Sequence, residues 1–199
     1  MLLTPTPPQV VDSAVGLVGK GHEVVMYTSH HDPSHSFKET HDGTLNVKVY
    51  GDFLPRSIFG RGHILFASLR GIYLSFVMLA VEKPWDVVIV DQLSMPIPLL
   101  LASGAKVIFY CHFPDLKLAA KGGLLKRLYR MPFDFLEEAT TLMAHKILVN
   151  SEFTKKVFHE TFSSAKASPG AGEVVLGGRS SCIWIQSLEP RVEGRGSRV

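Results

Sequence analysis

Two short apolar runs constrain this chain more than any other feature. The run VIFYCHFPD, Val107 to Asp115, begins with apolar and aromatic residues through Cys111 and then breaks into His112-Phe113-Pro114-Asp115. The run WDVVIVDQ, Trp85 to Gln92, repeats the pattern: Val87–Val90 is apolar, and Asp91 and Gln92 close it. Short, continuously apolar runs of this kind are the composition of parallel strands covered on both faces. Ligands of such sheets gather beyond the carboxyl ends of the strands. Two strands that both finish in polar residues therefore predict a cleft at that edge.

The rest of the chain supplies the alternation that a parallel sheet needs. Val10, Val11, Ala14, Leu17 and Val18 share one face of a helix that stops at Gly19-Lys20-Gly21. A strand at 23–28 follows, then a polar loop at 30–42, a short strand at 47–50 and a loop at 51–61. Ile64–Val81 reads as a long apolar helix. Strands at 87–90 and 106–110 flank a helix at 97–103. A basic helix at 124–131 and a second helix at 133–144, opened by Pro132, precede a strand at 146–149. The last helix runs from Ser151, its N-cap, to about Phe162. Strands alternating with helices define an α/β chain with a Rossmann-like, doubly wound parallel sheet over residues 10–162. Residues 1–9, with Pro5, Pro7 and Pro8, read as a disordered or extended start. Residues 163–199 are rich in Ser, Gly and Arg and read as a weakly ordered tail. Within it only Val174–Leu176 and Cys182–Gln186 have strand composition. The opening is unusual, because no strand or glycine turn is evident before Val10. A doubly wound sheet without its first strand would be open near its middle.

Composition narrows the function classes. The chain has 199 residues, 46% of them hydrophobic, enough for a sizeable core. A net charge of +3 and no aromatic interleaving of basic residues argue against a nucleic-acid partner. Two cysteines are no disulfide framework, and no secretory signal is visible. The basic residues are uneven: Lys117, Lys121, Lys126, Arg127 and Arg130 fall in a stretch with no acid. Lys126 and Arg130 share a helix face. Such a patch suits a pyrophosphate or an anionic membrane surface, or is simply a solvated face. Ile64–Val81 carries one charge, Arg70. Its length nearly crosses a hydrocarbon core, but it also fits a buried or interfacial crossover helix. His30, His31, Asp32 and His35 look metal-like, yet Pro33 interrupts them; a polar loop facing the cleft is the expectation, with no metal.

The segments GHEVVMYTSHHDPSHSF, GDFLPR, DVVIVDQ, VIFYCHFPD, LLKRLYRMPFDFLEE and ILVNSEFTKKVFHETF resemble, in order, the N-terminal domain of one enzyme family. These are the α-1,3/α-1,6-mannosyltransferases of the dolichol-linked oligosaccharide pathway, GT-B glycosyltransferases of family 4. The resemblance covers about residues 10–162. It implies one incomplete GT-B N-terminal, acceptor-side domain, without its first strand. Nothing in the chain resembles the donor-binding C-terminal domain. It further implies GDP-mannose as donor substrate, no bound cofactor, and a mannosyl-chitobiosyl pyrophosphoryl-dolichol acceptor that receives α-1,3 and then α-1,6 mannose. The implied setting is the cytosolic face of the endoplasmic reticulum membrane, with other dolichol-pathway transferases as candidate partners. This chain alone is expected to be inactive; a non-catalytic acceptor- or partner-binding fragment is the alternative.

The resemblance places His112 near the transferred sugar, as the catalytic candidate. A neutral imidazole there can donate or accept one hydrogen bond and stabilise developing charge; it can also simply bond a loop carbonyl. Asp115 orients His112, binds acceptor hydroxyls, or belongs to a Pro-Asp turn. Asp91 and Gln92 either bind sugar hydroxyls or cap the following helix. Lys126, Arg127 and Arg130 are the acceptor-phosphate candidates. His30, Asn150 and Ser151 are further cleft candidates, with capping the plainer role of Ser151.

Overall fold

The computed structural model describes residues 8–55, 57–58, 62–82, 85–111, 124–149, 151–162 and 182–186; for residues 8, 9, 35, 124–130 and 182–186 it describes the backbone alone. Helix α1 (Pro8–Gly19) places proline at its first position, where the missing N–H costs nothing. It ends in a Schellman arrangement: His22 N–H donates to Leu17 O at 3.1 Å and Gly21 N–H to Val18 O at 2.9 Å. Gly21 supplies the left-handed turn, with φ +86. Strand β1 (Val24–Thr28) follows. The polar loop after it folds into two 3-10 turns, Pro33–His35 and Lys38–Thr40. Strand β2 (Asn46–Val49) and the long helix α2 (His63–Val81) come next. Then come β3 (Val87–Asp91), α3 (Ile97–Leu101) and β4 (Lys106–Cys111).

One helix boundary differs from expectation. The two helices expected on either side of Pro132 are a single helix, α4 (Leu124–Leu142), with the proline inside. Proline's fixed φ is itself helical, so it removes one donor and crowds one carbonyl without forcing the chain out of the helix. No glycine or asparagine between Leu124 and Leu142 offers a competing stop. Strand β5 (Lys146–Val149) and helix α5 (Glu152–Thr161) follow. The Ser151 hydroxyl accepts from Thr154 N–H at 3.1 Å, the expected N-cap.

The last described element is β6 (Cys182–Gln186), one of the two strand-like pieces of the tail. The six strands form one sheet in the order β2-β1-β6-β3-β4-β5. All the pairs are parallel. The centre expected to stand open thus holds β6. Residues 1–7, 163–181 and 187–199, including Val174–Leu176, lie outside the described residues.

Alternate residues of the strands enter two cores, which is why the runs are apolar throughout. On one face Val25, Tyr27, Val88, Val90, Val107 and Phe109 pack with Leu74 and Met78 of α2, with α3 and with Phe158 of α5. On the other, Val24, Met26 and Ile89 pack with Val10, Val11 and Ala14 of α1. Helices on both faces of a parallel sheet make the doubly wound class expected from the alternation.

Helix α2 is seated at its middle and at its C-terminus. Gly71 meets the turn into α3 so closely that a Cβ there would lie 2.9 Å from Pro96 Cγ. At its C-terminus the Glu82 side chain, 9% exposed, accepts from Lys48 Nζ at 2.7 and 2.6 Å. It also accepts from the Tyr50 hydroxyl at 3.0 Å. Burial pushes the Glu82 carboxyl up, but these donors hold it below the ordinary carboxylate range. Burial, and next the Glu82 carboxylate beside it, drive the Tyr27 hydroxyl far upward, so it stays neutral.

Candidate functional site

Parallel pairing brings the ends of six strands to one edge in defined register. The last row reads Val49, Thr28, Gln186, Asp91, Tyr110 and Leu148, in the order of the strands. Adjacent strands lie ~4.8 Å apart, so Thr28 and Asp91 are separated by ~10 Å, with Gln186 between them. This row and the residues just past it form the candidate site.

Each polar group there has a local reason for its position. The Thr28 hydroxyl donates to His30 O at 2.9 Å and turns the chain at the end of β1. His30 Nδ1 lies 2.6 Å from Asp52 Oδ1. An ionised carboxylate only accepts, so Nδ1 carries the proton. In the neutral ring that leaves the Nε2 lone pair for a ligand hydroxyl. Next to it, burial and then the neighbouring His41 and His30 hold the His31 imidazole below its ordinary pKa. Asp32 accepts from Ser34 N–H at 3.0 Å and from the Ser34 hydroxyl at 2.7 Å. It caps the 3-10 turn there, so His30 and Asp32 serve separate partners.

At the end of β3, Asp91 is buried, 1% exposed. Burial, and then the Asp91 charge, push the Tyr110 hydroxyl upward. Gln92 is exposed and has φ 66, the left-handed region that non-glycine residues seldom adopt. Its N–H donates to Tyr110 O at 3.3 Å, and Leu93 N–H donates to Asp91 O at 2.8 Å. This tight turn ends the strand and carries the Gln92 side chain to the surface of the edge. Backbone strain of this kind recurs at functional sites. Ser94, just beyond, bonds the Thr140 hydroxyl at 2.8 Å and ties α4 to the same edge.

The structure therefore brings together Asp91, Gln92 and His30, and sets Ser151 at the start of α5, after the β5 end of that edge. Strand β4 delivers the chain to the same edge at Cys111, the residue before His112. His112, Asp115 and Asn150 lie outside the described residues. Lys126, Arg127 and Arg130 are in the first half of α4, where the backbone alone is described. Sequence reasoning missed Asp52, the partner of His30. A polar residue directly after the glycine that ends β2 was the available signal. It also missed Glu82, whose partners Lys48 and Tyr50 lie in β2 and just past its end.

A doubly wound parallel sheet with a polar carboxyl edge, a strained residue and an oriented imidazole defines an α/β domain of the Rossmann-like class with a candidate ligand-binding edge. The family model for Glycosyltransferase Family 4 matches residues 9–168, and the chain belongs to that family. It is 53% identical over 153 residues to an alpha-1,3/1,6-mannosyltransferase alg2 of Schizosaccharomyces pombe, an alignment covering 77% of this chain and 30% of the relative. It is 54% identical over 164 residues to the ALG2 enzyme of Kluyveromyces lactis (80% of this chain, 33% of the relative). For the ALG2 enzyme of Saccharomyces cerevisiae the identity is 48% over 183 residues (90% and 35%). The expected resemblance to the N-terminal domain of these mannosyltransferases is borne out. The chain spans about a third of the length of these relatives. No solved structure matches it.

Proposed function

We propose that this chain is the acceptor-side domain of a GDP-mannose-dependent mannosyltransferase of N-glycan precursor assembly. The acceptor is a mannosyl-chitobiosyl pyrophosphoryl-dolichol, which receives α-1,3 and then α-1,6 mannose. The observation that carries this reading is identity near one half to named mannosyltransferases over more than three quarters of this chain. In this reading His30 and Gln92 bind acceptor hydroxyls, while the Asp91 carboxylate expected beside them is buried and supports the edge from within. His112 faces the transferred sugar, Asp115 orients it, and Lys126, Arg127 and Arg130 take the pyrophosphate. Asn150 and Ser151 border the cleft. No metal or bound cofactor has a step in it. Incubation with radiolabelled GDP-mannose and a short-chain lipid-linked acceptor tests it. Acceptor binding that Lys126→Glu with Arg130→Glu abolishes supports the site; binding that the double variant leaves unchanged removes the basic patch from it.

The share of the relatives that the chain spans favours a second reading, an acceptor-binding module that does not transfer sugar. Saturable acceptor binding without label transfer selects the second reading; label transfer selects the first.

The same reading sets the domain at the cytosolic face of the endoplasmic reticulum membrane, and α2 supports it. By length and composition α2 is apolar enough to cross a membrane. Its buried face holds Ser68, Arg70, Gly71 and Ser75 beside Ala67, Leu74 and Met78. Leu65, Leu69 and Phe76 are exposed on the opposite stripe, with Phe53 and Ile58 exposed in the preceding loop. A helix that shows a stripe of large apolar residues on its outer face is suited to lie in the membrane interface.

A further inference from the structure

His30 has a place in the site; its neighbour His31 has none so far, yet its ring is tied into the fold. The ring hydrogen-bonds the backbone of Thr40, in the second 3-10 turn. Thr40 N–H already donates to Phe37 O at 3.0 Å, so the ring's partner is the Thr40 carbonyl. Nε2 is buried and has no hydrogen-bond partner, so Nδ1 makes this bond and carries the proton. The turn it reaches is anchored elsewhere too. Thr40 is buried, and its hydroxyl donates to Phe37 O at 2.6 Å. Leu45, in the same core as Val10 and Val11 of α1, donates its N–H to Glu39 O at 2.9 Å. His31 thus joins the end of β1 to a turn that packs on α1.

The buried position suits the ring only while it is neutral. A second proton would sit on Nε2, where no acceptor meets it, and an unpaired buried charge is costly. Burial is the largest influence against that charge. His41, from the turn, and His30, from the same loop, also oppose it, and Asp32 favours it more weakly than either. The Asp32 carboxylate bonds Ser34, and Asp52, from the loop after β2, bonds His30. Helix α1 offers only Asp12, which is exposed.

We propose that His31 is a positioning residue, a latch that ties the Lys38–Thr40 turn to the end of β1 while neutral and lets it go when Nε2 gains a proton. The latch sets the shape of the loop that presents His30, so acid withdraws His30 from the edge. That last step rests on His30 binding the acceptor; the latch itself does not. Its sign follows from burial. The closed ring takes its proton at a lower pH than the same ring in an opened loop. Closure is therefore complete above the ordinary histidine range and is lost as pH falls through it toward the lowered value.

Hydrogen exchange on the intact chain at about pH 7.5 and about pH 5.5 reads the latch. The Asp42 and Leu45 amides, which donate to Lys38 O and Glu39 O, report the turn, and the Val25–Tyr27 amides report the sheet. In acid the protection factors of the first pair should fall at least ~10-fold while those of the sheet hold. The His31 imidazole, followed by NMR, should titrate over the same interval, below the range of an unfolded histidine. His31→Asn keeps an N–H donor near the Nδ1 position and cannot charge, so its turn should stay protected at both pH values. His31→Phe keeps the bulk without the donor, so its turn should be loosened at both. Turn protection that ignores pH, or a His31 ring that titrates at or above the unfolded value, would overturn the proposal. So would a His31→Asn turn that opens in acid as the parent's does, or a His31→Phe turn as protected as the parent's.

Binding of a short-chain lipid-linked acceptor, measured alongside, tests the step to His30. In acid the parent should lose binding several-fold more than His31→Asn does. Equal loss by both, with the turn open only in the parent, would overturn that step. An absence of acceptor binding at neutral pH counts against the acceptor reading alone, since exchange and the ring titration decide the latch without it.

Discussion

At the residue scale the site is built by two devices, a strained backbone and an oriented ring. Gln92 holds φ 66, which costs a non-glycine residue about 1–2 kcal/mol. Glycine relieves that strain but adds about 0.5–1 kcal/mol of unfolded-chain entropy. Gln92→Gly should therefore raise stability, by up to about 1 kcal/mol, while weakening acceptor binding. Thermal melts and an acceptor titration read the two effects separately; a fall in stability would remove the strain from the argument. The His30–Asp52 pair makes a different prediction. If Asp52 acts through the ring, His30→Ala and Asp52→Ala should each weaken acceptor binding several-fold. The double variant should be no worse than His30→Ala, since the two residues act as one unit. Additive losses in that cycle would separate them.

At the element scale the seating of α2 decides most. The Pro96 ring, 2.9 Å from where a Cβ on Gly71 would sit, is held in its own turn and has little room to yield. Gly71→Ala should therefore destabilise by about 1–3 kcal/mol despite alanine's better helix propensity, as read in denaturant melts. Glu82→Gln leaves Lys48 without its carboxylate and should cost roughly 1–3 kcal/mol at neutral pH. The pH dependence has a definite sign. The folded Glu82 carboxyl sits below its unfolded value. Its contribution is complete above the ordinary carboxylate pKa and is lost as pH falls through the lowered folded value. The gap between parent and Glu82→Gln should therefore narrow as pH drops through the carboxylate range. A gap that held constant there would assign the loss to packing.

At the scale of the whole molecule, the sheet presents its polar edge on one side and the apolar stripe of α2 on an outer face. Both suit the proposed reading, in which the acceptor is lipid-borne. Leu65→Ser with Leu69→Ser and Phe76→Ser should abolish flotation with vesicles of neutral and anionic phospholipid and leave the melting transition intact, because all three side chains are exposed. Flotation unchanged by the triple substitution would take α2 out of the membrane contact.

Much of this was legible before any coordinates. The apolar runs at 87–90 and 106–110, the glycine stop after α1 and the Ser151 cap depend on residues within a turn or a strand of one another. Spacing and side-chain type therefore specify them directly. The alternation of strand and helix then set the class, and the polar ends of the runs pointed to the edge where Asp91, Gln92 and His30 are found. Pro132 misled the reading, because a helical φ lets a proline stay inside a helix that nothing else stops. What only the tertiary structure decided are pairings between distant residues: His30 with Asp52, 22 residues on, Lys48 with Glu82, 34 residues on, and Gly71 against Pro96. The largest is the entry of Cys182–Gln186 between β1 and β3. Its composition marked it as a strand, but composition carries no address. Which slot a strand fills is set by which ladder groups are left without partners once the rest of the sheet has formed.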